Sequence, residues 1–180
     1  YLKNFLKMEK IFSIDGLLAD LGVSSYQLNV PKRGFSTRFK ADLDMRMNIH
    51  TNLSAKNVVN DYLEKDLADI FYKYGEIRNS RQVANRIVIS RNLSKINTTS
   101  DLVDVISDLV PEKYRNQFLA KVFQAIRIEV NDEISALGEL LLSAEELLKP
   151  GGRLVVVSYH SLEDRLVKNL MKKGSLTGDI

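Results

Sequence analysis

Apolar residues fall into two patterns along the chain. Ile14, Leu17, Leu18, Ala19 and Leu21 form a short run that contains Asp20 and stops at Gly22, and Leu154-Val155-Val156-Val157 form another behind Lys149-Pro150-Gly151-Gly152. Brief apolar runs bounded by turn residues predict buried parallel strands, over residues 14–21 and 153–159, with the Lys149–Gly152 segment as a helix stop and a tight turn. Between them the apolar spacing becomes helical. Leu67, Ile70, Phe71 and Tyr74 mark one helix up to Gly75, a natural C-terminal cap, and Val83, Ala84, Ile87 and Val88 mark a second. Thr98 and Asp101 have capping-box spacing and open a helix through Leu102, Val105, Ile106 and Leu109 that stops at Pro111. Phe118, Val122, Phe123, Ile126 and Val130 carry another stripe, and Ile134, Leu137, Leu141, Ala144 and Leu148 carry the helix that delivers the final strand.

Two strands do not make a stable sheet alone, whereas the helices between them read as a separate unit inserted into an α/β domain. Further βα units are expected before Tyr1, because the N-terminus lacks an initiator Met and reads as mid-domain sequence. It has no apolar core or cleavage site of a secretory signal, so a cytoplasmic address is the default expectation.

Composition narrows the chemistry. The 180 residues are 44% hydrophobic and 27% charged, as in a globular protein, with no Cys and two His. Zero Cys excludes disulfides, thiolate metal sites and a Cys nucleophile within this chain, and two His offer no dedicated zinc site, so no metal is expected. No apolar run approaches the ~20 residues of a membrane helix. Charge is uneven: residues 71–95 hold six bases against one acid, while residues 128–180 hold six bases against nine acids. The basic helices read either as a solvated face or as a phosphate-contacting patch built on Arg78, Arg81, Arg86 and Arg91.

Three segments are candidates for a site. Asp20, Gly22, Ser24 and Gln27 follow a strand, where open α/β sheets place ligands. A carboxylate there accepts hydrogen bonds from an amine or hydroxyl, and glycine admits a ligand to the backbone; alternatively Asp20 only caps a turn. Arg33, Phe35, Arg38, Phe39 and Arg46 lie in a long polar segment, where an aromatic can stack on a base and cations can meet phosphate, or the aromatics plug a small core. His160 follows the last strand in Ser158-Tyr159-His160-Ser161-Leu162-Glu163-Asp164-Arg165, suited to proton transfer or to an orienting role, with Ser161 and Asp164 spaced as a helix N-cap. His50 offers nothing specific. No G-x-G-x-x-G, P-loop or G-x-S-x-G motif occurs, which counts against kinases, P-loop NTPases and α/β-hydrolases.

In order along the chain, Asp15-Gly16-Leu17-Leu18-Ala19-Asp20-Leu21-Gly22-Val23-Ser24-Ser25-Tyr26-Gln27-Leu28, Arg33-Gly34-Phe35-Ser36, Leu43-Asp44-Met45-Arg46-Met47, Tyr74-Gly75-Glu76, Phe123 to Asn131, and Lys149 through Arg165 resemble the MraW (RsmH) family. These are S-adenosylmethionine-dependent methyltransferases acting on N4 of a cytosine in 16S ribosomal RNA. The resemblance implies a Rossmann-like methyltransferase sheet, here residues 1–45 and 118–180, interrupted by a helical substrate-recognition insert, residues 46–117. It implies S-adenosyl-L-methionine as cofactor, contacted by Asp20, Gln27 and Gly22, and the small ribosomal subunit as partner. Asp20, Ser24 and His160 are then the catalytic candidates, and Arg33, Phe35, Arg38, Arg46, Arg78, Arg81 and Arg86 the RNA-binding candidates. The family's glycine-rich cofactor loop, ribose-holding acid and adenine-side aromatic lie upstream of the segment matching Tyr1. The exocyclic amine of cytosine is a poor nucleophile, so holding it in line and accepting its protons is the expected work, and the absent Cys disfavours a C5 adduct. Two rivals remain at this stage: a non-catalytic RNA-binding remnant of the same fold, and a fragment of an α/β dehydrogenase with a helical insert.

Overall fold

Strands β1 (Ile14–Asp20) and β2 (Leu148–Val157) pair in parallel, in register from Gly16 opposite Arg153 to Asp20 opposite Val157. The computed structural model describes residues 1–177, a mixed α and β architecture in which these strands form a two-stranded sheet. Lys149 to Gly152 do not form a turn ahead of the strand, as their composition suggested. Ile14 pairs with Leu148, so residues 149–152 bulge within β2 opposite Asp15, and Lys149 Nζ ties the bulge to Asp15 Oδ1 at 2.9 Å. The expected burial of the strands is not reached either. Half-buried and exposed positions alternate along both, and Leu18 is 69% exposed, because two strands present their outer face to solvent.

Contacts gather into two compact units. The first comprises residues 1–22 and 133–180. Besides the sheet it holds α1 (Leu2–Met8), which the apolar pattern did not reveal and which buries no residue, with Lys3 paired to Glu146. Helix α8 (Glu133–Leu147) buries Leu137, Leu141, Ala144 and Leu147 on one stripe and leads directly into β2. Helix α9 (Ser161–Lys173) follows β2, and its one fully buried residue is the carboxylate Glu163.

The second unit, residues 23–132, contains the main hydrophobic core. Its elements are α2 (Ser25–Asn29), α3 (Ala55–Asp61), α4 (Glu64–Lys73), α5 (Ser80–Leu93), α6 (Thr99–Ile106) and α7 (Glu112–Asn131). Sequence periodicity located α4 to α7; α2 and α3 are too short to show a stripe. Thr98 caps α6 as expected, accepting from Asp101 N while Asp101 accepts from Thr98 N. Gly75 is not a left-handed cap: α4 ends on Tyr74 in right-handed geometry, and a Cβ on Gly75 would sit 2.8 Å from the Phe71 carbonyl. In this unit Phe35, Leu43 and Met45 on one side and Phe118, Phe123, Ile126 and Val130 on the other are buried in the same core as Val58, Phe71, Ile87 and Leu102. Buried Asn60 ties α3 to the connection between α5 and α6 by donating to Ile96 O at 2.8 Å and accepting from Ile96 N at 3.1 Å.

Candidate functional site

In the first unit, parallel pairing brings the carboxyl ends of β1 and β2 side by side. Asp20 ends β1, and Tyr159 stands two residues beyond Val157, its register partner. The Tyr159 hydroxyl donates to Asp20 Oδ1 at 2.9 Å, and the carboxylate beside it pushes the phenol's pKa up. Both side chains are exposed. Gly22 follows at φ +79°, a left-handed backbone in which an L side chain is strained, and a Cβ there would lie 3.4 Å from the Tyr159 ring. An open strand end thus carries a carboxylate, a phenol and accessible backbone.

Behind this edge lies a buried ionisable pair. Glu163 Oε2 accepts the Tyr159 backbone N–H at 2.9 Å, and Glu163 Oε1 lies 3.2 Å from His160 Nε2. Burial alone would raise the Glu163 pKa, but the hydrogen bonding and charge of His160 and the Tyr159 N–H outweigh it and hold the carboxyl below the ordinary range. His160, not Ser161, is the N-cap of α9, its Nδ1 accepting from Glu163 N. Glu133 brings a third ligand-type atom within 4.8 Å of those of His160 and Glu163. His160 therefore anchors the chain where β2 becomes α9, and its side chain is only 9% exposed.

In the second unit, Ser24 and Gln27 form a reciprocal capping box on α2. Gln27 Oε1 accepts the Ser24 N–H at 2.8 Å, Ser24 Oγ accepts the Gln27 N–H at 3.3 Å, and the Gln27 amide NH2 keeps its donors. The segment from Arg33 to Met47 is braced by two of its arginines. Arg33 donates to the carbonyls of Arg46 (2.7 Å) and Met47 (3.1 Å), and Arg46 pairs with Asp44 and donates to the carbonyls of Ile49 and Thr51. Partial burial opposes ionisation of Asp44, but the Arg46 bonds and charge still lower its pKa. Gly34 is required there, since a Cβ would fall 2.3 Å from the Asp42 carbonyl. Phe35 is 7% exposed and belongs to the core. The structure thus uses Arg33, Phe35 and Arg46 to build the segment. Arg38 is exposed, as is Lys40, with its guanidinium over Phe39 and bonded to Asn29 Oδ1.

On α5, Arg86 pairs with Asp108 at 2.9 Å and Arg91 donates to the Val59 carbonyl at 2.8 Å, so both brace the helices around them. Arg78 and Arg81 are exposed and, among the described residues, make no ion pair or hydrogen bond. Arg78 shares a concavity with Lys121, Tyr114 and Phe118, whereas Arg81 shares one with Glu64, Lys65 and Asp69.

The model of the MraW methylase family matches residues 1–179. The chain belongs to that family. Among its relatives, "Ribosomal RNA small subunit methyltransferase H" of Flavobacterium johnsoniae is 52% identical over 179 residues, covering 99% of this chain and 59% of the relative. The protein of the same name from Bacteroides fragilis is 54% identical over 178 residues with the same coverage, and that of Cytophaga hutchinsonii is 47% identical over 179 residues, 60% of its length. The chain thus spans about three-fifths of the length of the curated relatives it matches. Membership of the MraW family sets aside the dehydrogenase reading. No helix among the described residues is long and apolar enough to cross a membrane.

In this MraW family chain the strand end places Asp20 and Gly22 beside Tyr159, which the sequence offered, with Glu163, only as part of the segment around His160. A signal existed: in a parallel pair the residues just past both strand ends become neighbours. Glu163 stands three residues after His160, the capping-box interval, with His in place of the usual Ser or Thr.

Proposed function

We propose that the complete protein methylates the N4 amine of a cytosine in 16S ribosomal RNA, with S-adenosyl-L-methionine as methyl donor. The observation that carries this is family membership over residues 1–179 together with an exposed carboxylate at the end of β1. In this reading the sheet is part of a Rossmann-like methyltransferase domain and the helical unit is its substrate-recognition insert. The small ribosomal subunit is the partner and the cytoplasm the compartment.

The residues present fit such a cofactor. Gly22 leaves the backbone at the strand end uncovered, which admits a ligand to it, and Asp20 keeps one carboxylate oxygen without a partner among the described residues for the substrate amine. When bound, the cofactor supplies an electrophilic methyl whose C–S bonding electrons return to sulfur as the N–C bond forms. Asp20 accepts hydrogen bonds from the amine and orients its lone pair. Gly22 contributes to cofactor binding beside Asp20, while Ser24 and Gln27 cap the start of α2. His160 keeps a positioning role through α9 rather than touching substrate. Arg38, Arg78 and Arg81 are the cations that face solvent and meet RNA phosphates.

Nucleoside mass spectrometry of ribosomal RNA from cells with and without the gene tests the reading. Loss of N4-methylcytidine on deletion is expected, and Asp20→Ala in the complete enzyme should reproduce it while Asp61→Ala, on an exposed face of α3, should not. Loss of 5-methylcytidine or a 2′-O-methyl nucleoside instead would overturn the chemistry, and no change would leave only RNA binding.

A further inference from the structure

Asp20 has two carboxylate oxygens, and the structure engages one. The Tyr159 hydroxyl donates to Oδ1 at 2.9 Å, while Oδ2 bonds to no described residue. We infer that Tyr159 is a positioning residue for Asp20: its phenol fixes the carboxylate so that Oδ2 stands as the acceptor for an exocyclic amine on the target base. This rests on the methyltransferase reading and deepens it.

Three observations support the assignment. First, the bond is not a by-product of core packing, because Asp20 is exposed and Tyr159 is 67% exposed. An exposed aspartate otherwise samples several rotamers, and one hydrogen bond to a fixed donor removes that freedom. Second, Tyr159 is fixed from behind. Its N–H is bonded to Glu163 Oε2 at 2.9 Å, Glu163 is 3% exposed, and the neighbouring His160 caps α9, so the backbone that carries the phenol is held independently of Asp20. Third, Gly22 places no side chain between the Tyr159 ring and the strand end, and its φ of +79° disfavours one.

The chemistry follows from the inventory of donors and acceptors. With Oδ1 occupied by the phenol, Oδ2 is an acceptor that matches an amine and repels a carbonyl, so the pair discriminates cytosine from uracil at ring position 4. As the amine lone pair forms the new N–C bond, the nitrogen becomes positive and releases one of its protons, and Oδ2 is the group placed to receive it.

The test uses the complete enzyme with small-subunit ribosomal RNA. Tyr159→Phe keeps the ring and removes the donor; kcat should fall about tenfold or more, with KM for RNA and cofactor within about twofold and an unchanged melting temperature. In an Asp20→Ala background the same change should have no further effect, because the phenol acts only through the carboxylate. With carboxyl-13C-labelled aspartate, Tyr159→Phe should shift the Asp20 Cγ resonance, a readout independent of turnover. Wild-type kcat in Tyr159→Phe, additive losses in the double variant, or an unmoved Asp20 resonance would each overturn the inference. If Asp20→Ala impairs transfer while Tyr159→Phe keeps the wild-type kcat, only the positioning role falls. If Asp20→Ala itself transfers normally, the assignment of Asp20 falls with it.

Discussion

The side chain of Asn131, in the last turn of α7, accepts the Met47 N–H at 2.6 Å and donates to the Met45 carbonyl at 2.8 Å. It thereby spans Met45, a fully buried residue held at φ +59°, where L side chains are strained. Arg33, bonded to the carbonyls of Arg46 and Met47, holds the same stretch from its other flank. The strain is tolerated because several bonds specify the conformation at once.

Replacing Asn131 by Ala leaves the Met47 N–H and the Met45 carbonyl without these partners and releases the strained turn. A loss of about 1–3 kcal/mol in urea denaturation is expected, at unchanged m value. A loss below about 0.5 kcal/mol would show that Arg33 and packing hold the segment alone.

Glu163 sets an acid limb of stability. Its pKa is lowered from 4.5, so the folded state favours the carboxylate; the contribution is present above the ordinary glutamate range and is lost as pH falls through the lowered value. Glu163→Gln should therefore be less stable than the parent at neutral pH, by about 1–3 kcal/mol, with the gap closing on acidification. Melting temperatures measured from pH 7 down to about pH 3 would check it. A gap that stays constant with pH would mean that the carboxylate's charge contributes nothing.

Tyr62 sets an alkaline limb. Its hydroxyl donates to Glu129 Oε1 at 2.9 Å, and burial, that bond and nearby negative charge push the phenol up to about 12 from 10.0. A raised pKa contributes stability below 10.0 that is lost as pH climbs toward 12. Ultraviolet titration of Tyr62→Phe should show one late-ionising tyrosine fewer than the parent, and the variant's stability should depend less on pH across that window.

The arginines should separate by whether the fold already occupies them. Arg78→Ala should weaken ribosomal RNA binding by the complete enzyme and lower the log–log salt slope by about 0.7. Arg81→Ala should do the same less strongly, since Glu64 and Asp69 share its concavity. Arg86→Ala, which breaks a half-exposed pair with Asp108, should cost at most about 1 kcal/mol of stability and leave the slope unchanged. Equal slopes for all three would identify the basic face as merely solvated.

The elements legible in the sequence are those with strong local signals. Helices α4 to α7 carry apolar stripes over two turns or more, Thr98 and Asp101 announce a cap through their spacing, and both strands are short β-branched or leucine runs. Helices α1 and α3, at seven residues each, lack the length for a stripe. The N-cap of α9 went to His160 because a buried Glu163 could bond the chain on both sides of it, a choice local residue preference does not disclose.

By itself the sequence determined which residues are available: a carboxylate and glycine at the end of the first strand, a basic helical stretch, no thiol, and an ordered set of segments shared with one family. Tertiary structure decided which of them remain free. Arg33, Arg46, Arg86 and Arg91 read as candidate ligand contacts along the chain, but folding brings unsatisfied carbonyls or carboxylates within reach of each, and a guanidinium beside such partners bonds to them. Asp20 keeps an open oxygen for the opposite reason: the strand pairing that ends beside it supplies one donor, Tyr159, and stops.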